Sequence, residues 1–121
     1  MNVPRPHASF PLGDTIPFTV TLLTNEHGQK WEPKRDEAAG FRLKALLTRE
    51  GFPEQRWSFG FTPVTGSTSS HIAQWTPQLV GSSAVRVGLY RYVVTLERID
   101  PKDGYTVRSR YTLLRGNLTL Y

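Results

Sequence analysis

Apolar and polar residues alternate with a period of two along most of this chain. In Thr15–Thr24 (TIPFTVTLLT), Ile16, Phe18, Val20 and Leu22 fall on one face and Thr15, Pro17, Thr19 and Thr21 on the other, the pattern of a strand with one buried face. Pro17 has no N–H for a ladder, which puts the start of this strand at a sheet edge. The alternation returns in Phe41–Thr48, with Phe41, Leu43, Ala45 and Leu47 in phase, and in Arg56–Thr62, with Trp57, Phe59 and Phe61 in phase. It continues in the short run His71–Trp75 and in the longest one, Gly88–Ile99, where Tyr90, Tyr92, Val94 and Leu96 share a face. Tyr105–Leu114 and Asn117–Tyr121 complete the set.

The connections carry turn chemistry. Asp100-Pro101-Lys102-Asp103-Gly104 predicts a hairpin, because Pro pre-sets the turn entry and Asp-Gly accepts positive φ. Glu50-Gly51-Phe52-Pro53 breaks the chain, Pro63–Ser70 reads as a loop of small polar residues, and Arg115-Gly116 predicts a bend between the last two strands. In Thr76–Gly81, Thr76 suits an N-cap, Pro77 the first helical position and Gly81 the αL position after a helix, which predicts one short helical turn near 76–80. Glu32–Gly40 has room for a short helical turn, but Pro33 and its length argue against a stable helix; Trp31 is the large apolar anchor of the polar stretch 25–40.

About seven strands, with turn signals every eight to twelve residues, predict an all-β antiparallel sandwich, Ig-like or jelly-roll-like. Residues 1–14, spaced by Pro4, Pro6 and Pro11, read as an extended proline-rich arm, with Phe10 and Leu12 able to anchor it; residues 15–121 read as a single domain.

Composition narrows the chemistry. The chain has 121 residues and no cysteine, so it is sized for one domain without disulfides, thiolate metal sites or a cysteine nucleophile. No apolar run approaches the roughly 20 residues of a membrane helix, and MNVPRPHASF lacks the apolar core of a signal peptide. His7, His27 and His71 do not fall at metal-ligand spacing, so neither metal nor cofactor is expected. His71 lies beside Ser69 and Ser70, the minimum for a serine–histidine hydrolase, but a strand-end surface histidine is the simpler reading. Asp100 and Asp103 read as turn residues. Trp31, Trp57, Trp75, Phe59 and Phe61 read as core in preference to a carbohydrate platform.

Charge is the less uniform property. The net charge is +5. Residues 82–121 hold seven Lys and Arg against three Asp and Glu, a net +4, whereas residues 1–81 hold eight against seven. Arg108 and Arg110 fall on the face opposite Tyr105 and Val107, and Arg91 joins them if the hairpin is in register. Such a surface suits protein docking, nucleic acid or solvent; the excess of Arg over Lys favours forked contacts to a partner's carboxylates and carbonyls.

The stretch A73-Q-W75-T-P77-x-L79-x-G81, then G88-L-Y90-R-Y92-V-V-T-L, then Y105-T-V and L113-L-R-G116-N-L118-T-L120, resembles small β-sandwich domains of tailed-bacteriophage tail, baseplate and fibre-adaptor proteins. The opening G13-D14-T15-I-P-F18-T-V20-T resembles them too. The resemblance covers most of the chain but consists of structural punctuation; the 25–40 insertion and the arginine-rich strand pair depart from it. It implies a non-enzymatic virion structural protein, assembled in the host bacterial cytoplasm, that connects neighbouring subunits in a tail, neck or fibre-attachment region. Other tail or neck proteins, and further copies in an oligomer or ring, are the expected partners, with no membrane. The expected contact residues are Pro4, Arg5, Pro6, Phe10, Arg91, Arg108, Arg110 and Arg115. The alternative is a carbohydrate- or nucleic-acid-binding sandwich that uses exposed aromatics and the arginine surface.

Overall fold

The computed structural model describes residues 7–25, 27–38, 40–66, 69–100, 102–104 and 106–121. Pro4, Arg5, Pro6 and Tyr105 lie outside the described residues.

Among the described residues eight strands and one short helix follow in the order β1 (His7–Phe10), β2 (Ile16–Thr21), α1 (Pro33–Ala38), β3 (Phe41–Arg49), β4 (Phe52–Gly60), β5 (Thr62–Pro63), β6 (Ser70–Trp75), β7 (Gly88–Asp100) and β8 (Thr106–Leu120). They form a five-stranded sheet, β1-β8-β7-β3-β4, and a three-stranded sheet, β2-β6-β5. The two pack as an all-β sandwich. Pro17 sits where a missing donor is harmless, on β2 at the edge of the smaller sheet, opposite Gln74.

The inward positions are those of the period-two pattern. Ile16, Val20, Leu43, Ala45, Leu47, Tyr90, Tyr92, Val94, Leu96, Leu118 and Leu120 are all buried in one core. Aromatic rings hold the sheets face to face. Phe18 of β2 lies 5.1 Å from Phe59 of β4 and 5.3 Å from Tyr92 of β7. Trp75 of β6 lies 6.1 Å from Trp57 and 6.4 Å from Phe59. Trp31 anchors the 25–40 stretch by an edge-on contact to Phe41 at 4.9 Å.

Five expectations about the fold are corrected. The sandwich is not wholly antiparallel, because β1 pairs in parallel with the end of β8, Phe10 opposite Leu120. Part of the supposed arm is therefore an edge strand: Leu12 N–H donates to the Tyr121 carbonyl and Phe10 packs on the core. Thr76–Val80 holds no helical turn. There the Gln78 side-chain amide donates to the Val80 carbonyl, and the Gln78 carbonyl accepts from Val85 N–H, so side chain and loop take up groups that a helix would use. A six-residue helix, α1, does form after Trp31, joined to the loop by Asp36, whose carboxylate accepts from Glu32 N–H at 2.7 Å. Finally, Arg115-Gly116 makes no bend, and β8 runs through it for 15 residues.

Gly116 has a packing role in place of a turning one. It lies opposite Tyr92 in the β7–β8 ladder, and a methyl group there would overlap the Tyr92 ring. The ring lies across the bare backbone of the neighbouring strand, a place where only glycine fits. Gly116→Ala is expected to destabilise the fold by about 2 kcal/mol through forced displacement of that ring. Urea denaturation would read this as a lower midpoint with an unchanged slope.

Candidate surface site

The outer face of the five-stranded sheet is built by the residues that alternate with the core. Successive rungs bring together Arg42, Glu97 and Arg110, then Lys44, Thr95 and Thr112, then Leu46, Val93 and Arg115, then Thr48, Arg91 and Asn117. Arg91 and Arg110 therefore share a face, as the hairpin register requires. Arg108 lies at the register shift opposite Arg98/Ile99, beside the turn.

Glu97 organises one end of this face. Its side chain is fully buried although it points away from the core. Arg110 Nε donates to Oε2 at 2.6 Å, Arg42 Nε donates to Oε1 at 3.0 Å, and Lys44 Nζ stands 3.2 Å from Oε1. The three cationic side chains lie over the carboxylate and exclude water from it. Burial alone pushes the Glu97 carboxyl up. The bonds from Arg110 and Lys44, the Lys44 charge and the Arg42 bond outweigh that and bring it from 4.5 to about 2.

The other arginines of this surface are mostly engaged within the molecule. Arg91 clasps Glu50 with both Nε and Nη2, the latter at 2.9 Å. Arg108 bonds Asp100 at 2.8 Å and stands 3.4 Å from Asp103. Asp100 is held below the usual carboxylate range by the Arg108 bond and by Lys102 N–H. Asp100 and Asp103 also build the predicted turn: Asp103 N–H donates to the Asp100 carbonyl, and Gly104 takes φ +61°. Arg115 is exposed and has no carboxylate partner among the described residues. Neither have Arg56 and Arg86, which line a polar cleft of about 270 Å³ with Glu54, Ser82 and Ser83. The sequence contained no signal for these two, because β4 and the 81–87 loop meet only in the folded chain. Phe10 serves the protein's own core.

The aromatic and histidine candidates are placed inward. Trp31 and Trp75 are buried, and Trp57, Phe59 and Phe61 are half-buried against the core, so none offers an open ring platform. His71 is not the surface residue expected. It is 3% exposed, and its Nδ1 lies 3.1 Å from the Ser69 carbonyl rather than a serine hydroxyl, which is not the geometry of a nucleophile–base pair. Among the described residues no group of three or more His, Cys, Asp or Glu comes together as a metal site.

Comparison with family models, curated proteins and solved structures matches none of them.

Glu97 carries a pH signature. A depressed carboxylate stabilises the fold above its unfolded value and loses that contribution as pH falls through its folded value, here from about 4.5 towards about 2. Glu97→Gln leaves three cations without their counter-charge. It is expected to lower stability at neutral pH by about 1–3 kcal/mol. It should also remove part of the loss of stability between pH 4.5 and pH 2. Urea denaturation at pH 7, 4 and 3 checks both effects.

Proposed function

We propose that this protein is a non-enzymatic connector that docks on neighbouring proteins, in the tail, neck or fibre-attachment region of a tailed-phage particle as its resemblance implies. The observation that carries the docking reading is an apolar end of the sandwich. Leu79, Val80, Val87, Leu89 and Tyr121 are between 41% and 77% exposed. The fold collects them. Leu79 lies against Gly13, Leu12 is bonded to Tyr121, Gly88 pairs with Leu120, and Leu89 pairs with Thr119. Arg49, stacked 4.2 Å over the Phe52 ring, borders the same end beside Gly88.

Single exposed apolar residues are ordinary, but a cluster at one end of a small domain marks a contact surface. An aromatic and an arginine among aliphatic side chains match the composition of interface centres. The ion pairs of Arg91, Arg108 and Arg110 favour this over nucleic acid, since guanidinium groups already matched to carboxylates release fewer counterions on meeting phosphate.

The doubly substituted Val80→Asp/Val87→Asp protein tests the reading. Both sites are exposed, so its circular-dichroism spectrum and melting temperature should stay near those of the parent. Its incorporation into assembled particles should fall by about tenfold or more. A photo-crosslinker at position 80 should capture a neighbouring particle protein, and one at Thr112 on the outer sheet face should not. Normal incorporation of the double variant, or capture from position 112 alone, overturns the apolar end as the docking surface. Absence of the protein from particles overturns the connector reading itself.

A further inference from the structure

We propose that β3 accepts an extended peptide strand from a partner at its open edge around Phe41, and that His71 recognises a hydrogen-bond donor on an inward-facing side chain of that strand. The site stands at the end of β3 away from the apolar end, about 26 Å along the strand at the usual rise per residue, and the inference does not depend on the docking role given to those apolar residues.

The edge is open because of a crossover. β4 pairs with β3 from Arg49 back to Lys44, where Lys44 meets Gly60. Phe61 adds one more bond, its N–H donating to the Leu43 carbonyl at 3.1 Å. The chain then leaves this sheet, and Thr62 and Pro63 pair with Ile72 and His71 of the other. Phe41 keeps its β7 neighbour, Arg98, but among the described residues has no strand on its second side. The Gly40 carbonyl accepts from Ile99 N–H on the β7 side. By the alternation of an antiparallel ladder, the backbone groups of Phe41 face the other way, towards the vacant side.

That vacant side is a groove. A space of about 490 Å³ is lined mainly by apolar surface from Gly40, Phe41, Leu43, Phe61 and Pro63, with His71 in its wall. Arg42, the charged residue of the lining, directs its guanidinium to Glu97 on the outer sheet face. The edge thus lacks an unengaged charge of the kind that commonly wards off strand addition.

His71 supplies the polar demand. A carbonyl only accepts, so the Nδ1 facing Ser69 O carries the proton. In that tautomer Nε2 presents a lone pair. It is buried and has no hydrogen-bond partner among the described residues, an uncommon state for a buried polar atom. The edge-on contact of the His71 and Phe41 rings, 5.7 Å between centres, sets the imidazole beside the same strand, and His71 lines the groove. Unmatched ladder groups call for another backbone, the apolar walls for alternate side chains of an extended strand, and Nε2 for a hydroxyl or N–H among them. Together these describe a peptide added as a strand.

Two probes test this: the peptide acetyl-Lys-Val-Thr-Val-Lys-amide and its counterpart with valine in place of threonine, each titrated into the ¹⁵N-labelled full chain. The threonine peptide should slow exchange of the Phe41 amide proton by about tenfold or more at saturation and shift the Nε2 resonance of His71. It should bind about fivefold to tenfold tighter than the valine peptide, the difference of one hydrogen bond. His71→Phe keeps the ring and should abolish that preference; His71→Leu, which also lacks an acceptor, serves the same comparison should the phenylalanine variant fail to fold. An unchanged Phe41 amide at millimolar peptide overturns the proposal. So does a preference for threonine that survives both substitutions, or perturbation confined to Val80 and Val87.

Discussion

The contact between the two sheets is the constraint on which the rest depends. A three-stranded sheet with one two-residue strand is too small to hold itself together, and here it is fixed by rings. Phe18 and Trp75 project from it into a row formed by Trp57, Phe59, Tyr90 and Tyr92 of the larger sheet. Every ring in that row falls on the inward beat of a period-two strand. This is why the same residues are unsuited to a sugar platform, and why the position of His71 on β6 is set by the packing of Trp75 further along the same strand. Gly116 belongs to the same arrangement, as the bare backbone that leaves room for the Tyr92 ring, which meets Phe18 edge-on.

The charge of the molecule is more finely divided than its sum suggests. Three cations converge on Glu97, one carboxylate sequestered on the outer face of a sheet, while Arg91 is matched with Glu50 and Arg108 with both Asp100 and Asp103. These pairs lie across a rung, diagonally to the next one, or at the ends of hairpins, so they fix strand register as much as they set surface potential. Arg56, Arg86 and Arg115, which have no carboxylate partner among the described residues, lie apart from the cluster around Glu97.

What could be read from the sequence was whatever local periodicity and turn chemistry encode. The inward residues of β2, β3, β4 and β7, and Leu118 and Leu120 of β8, were legible because one face of each is buried, whereas earlier in β8 the register shift at Leu113 breaks the alternation and leaves Tyr111 exposed. The turn after Asp100 was legible because Asp100 and Asp103 bond to nearby backbone. Thr76–Gly81 was misread because a cap, a proline and a glycine at helical spacing do not reveal that the Gln78 amide will take the Val80 carbonyl. Gly116 was misread because a glycine that turns the chain and one that admits a neighbouring ring look alike until the neighbour is known. Of the candidate surface, the shared face of Arg91 and Arg110 was legible from parity. The burial of Glu97, the apolar end and the groove beside His71 were not, since each arises from residues far apart in the chain.

The crossover at Gly60–Phe61 has a consequence for symmetry. By handing the chain from one sheet to the other, it leaves one extremity of β3 with unmatched backbone, while the opposite extremity is closed by the β3–β4 hairpin and dressed with aliphatic side chains. The domain therefore has two chemically unlike poles. Units joined pole to unlike pole all face the same way, and whether they close into a ring or run on as a filament is decided by the rotation between one unit and the next.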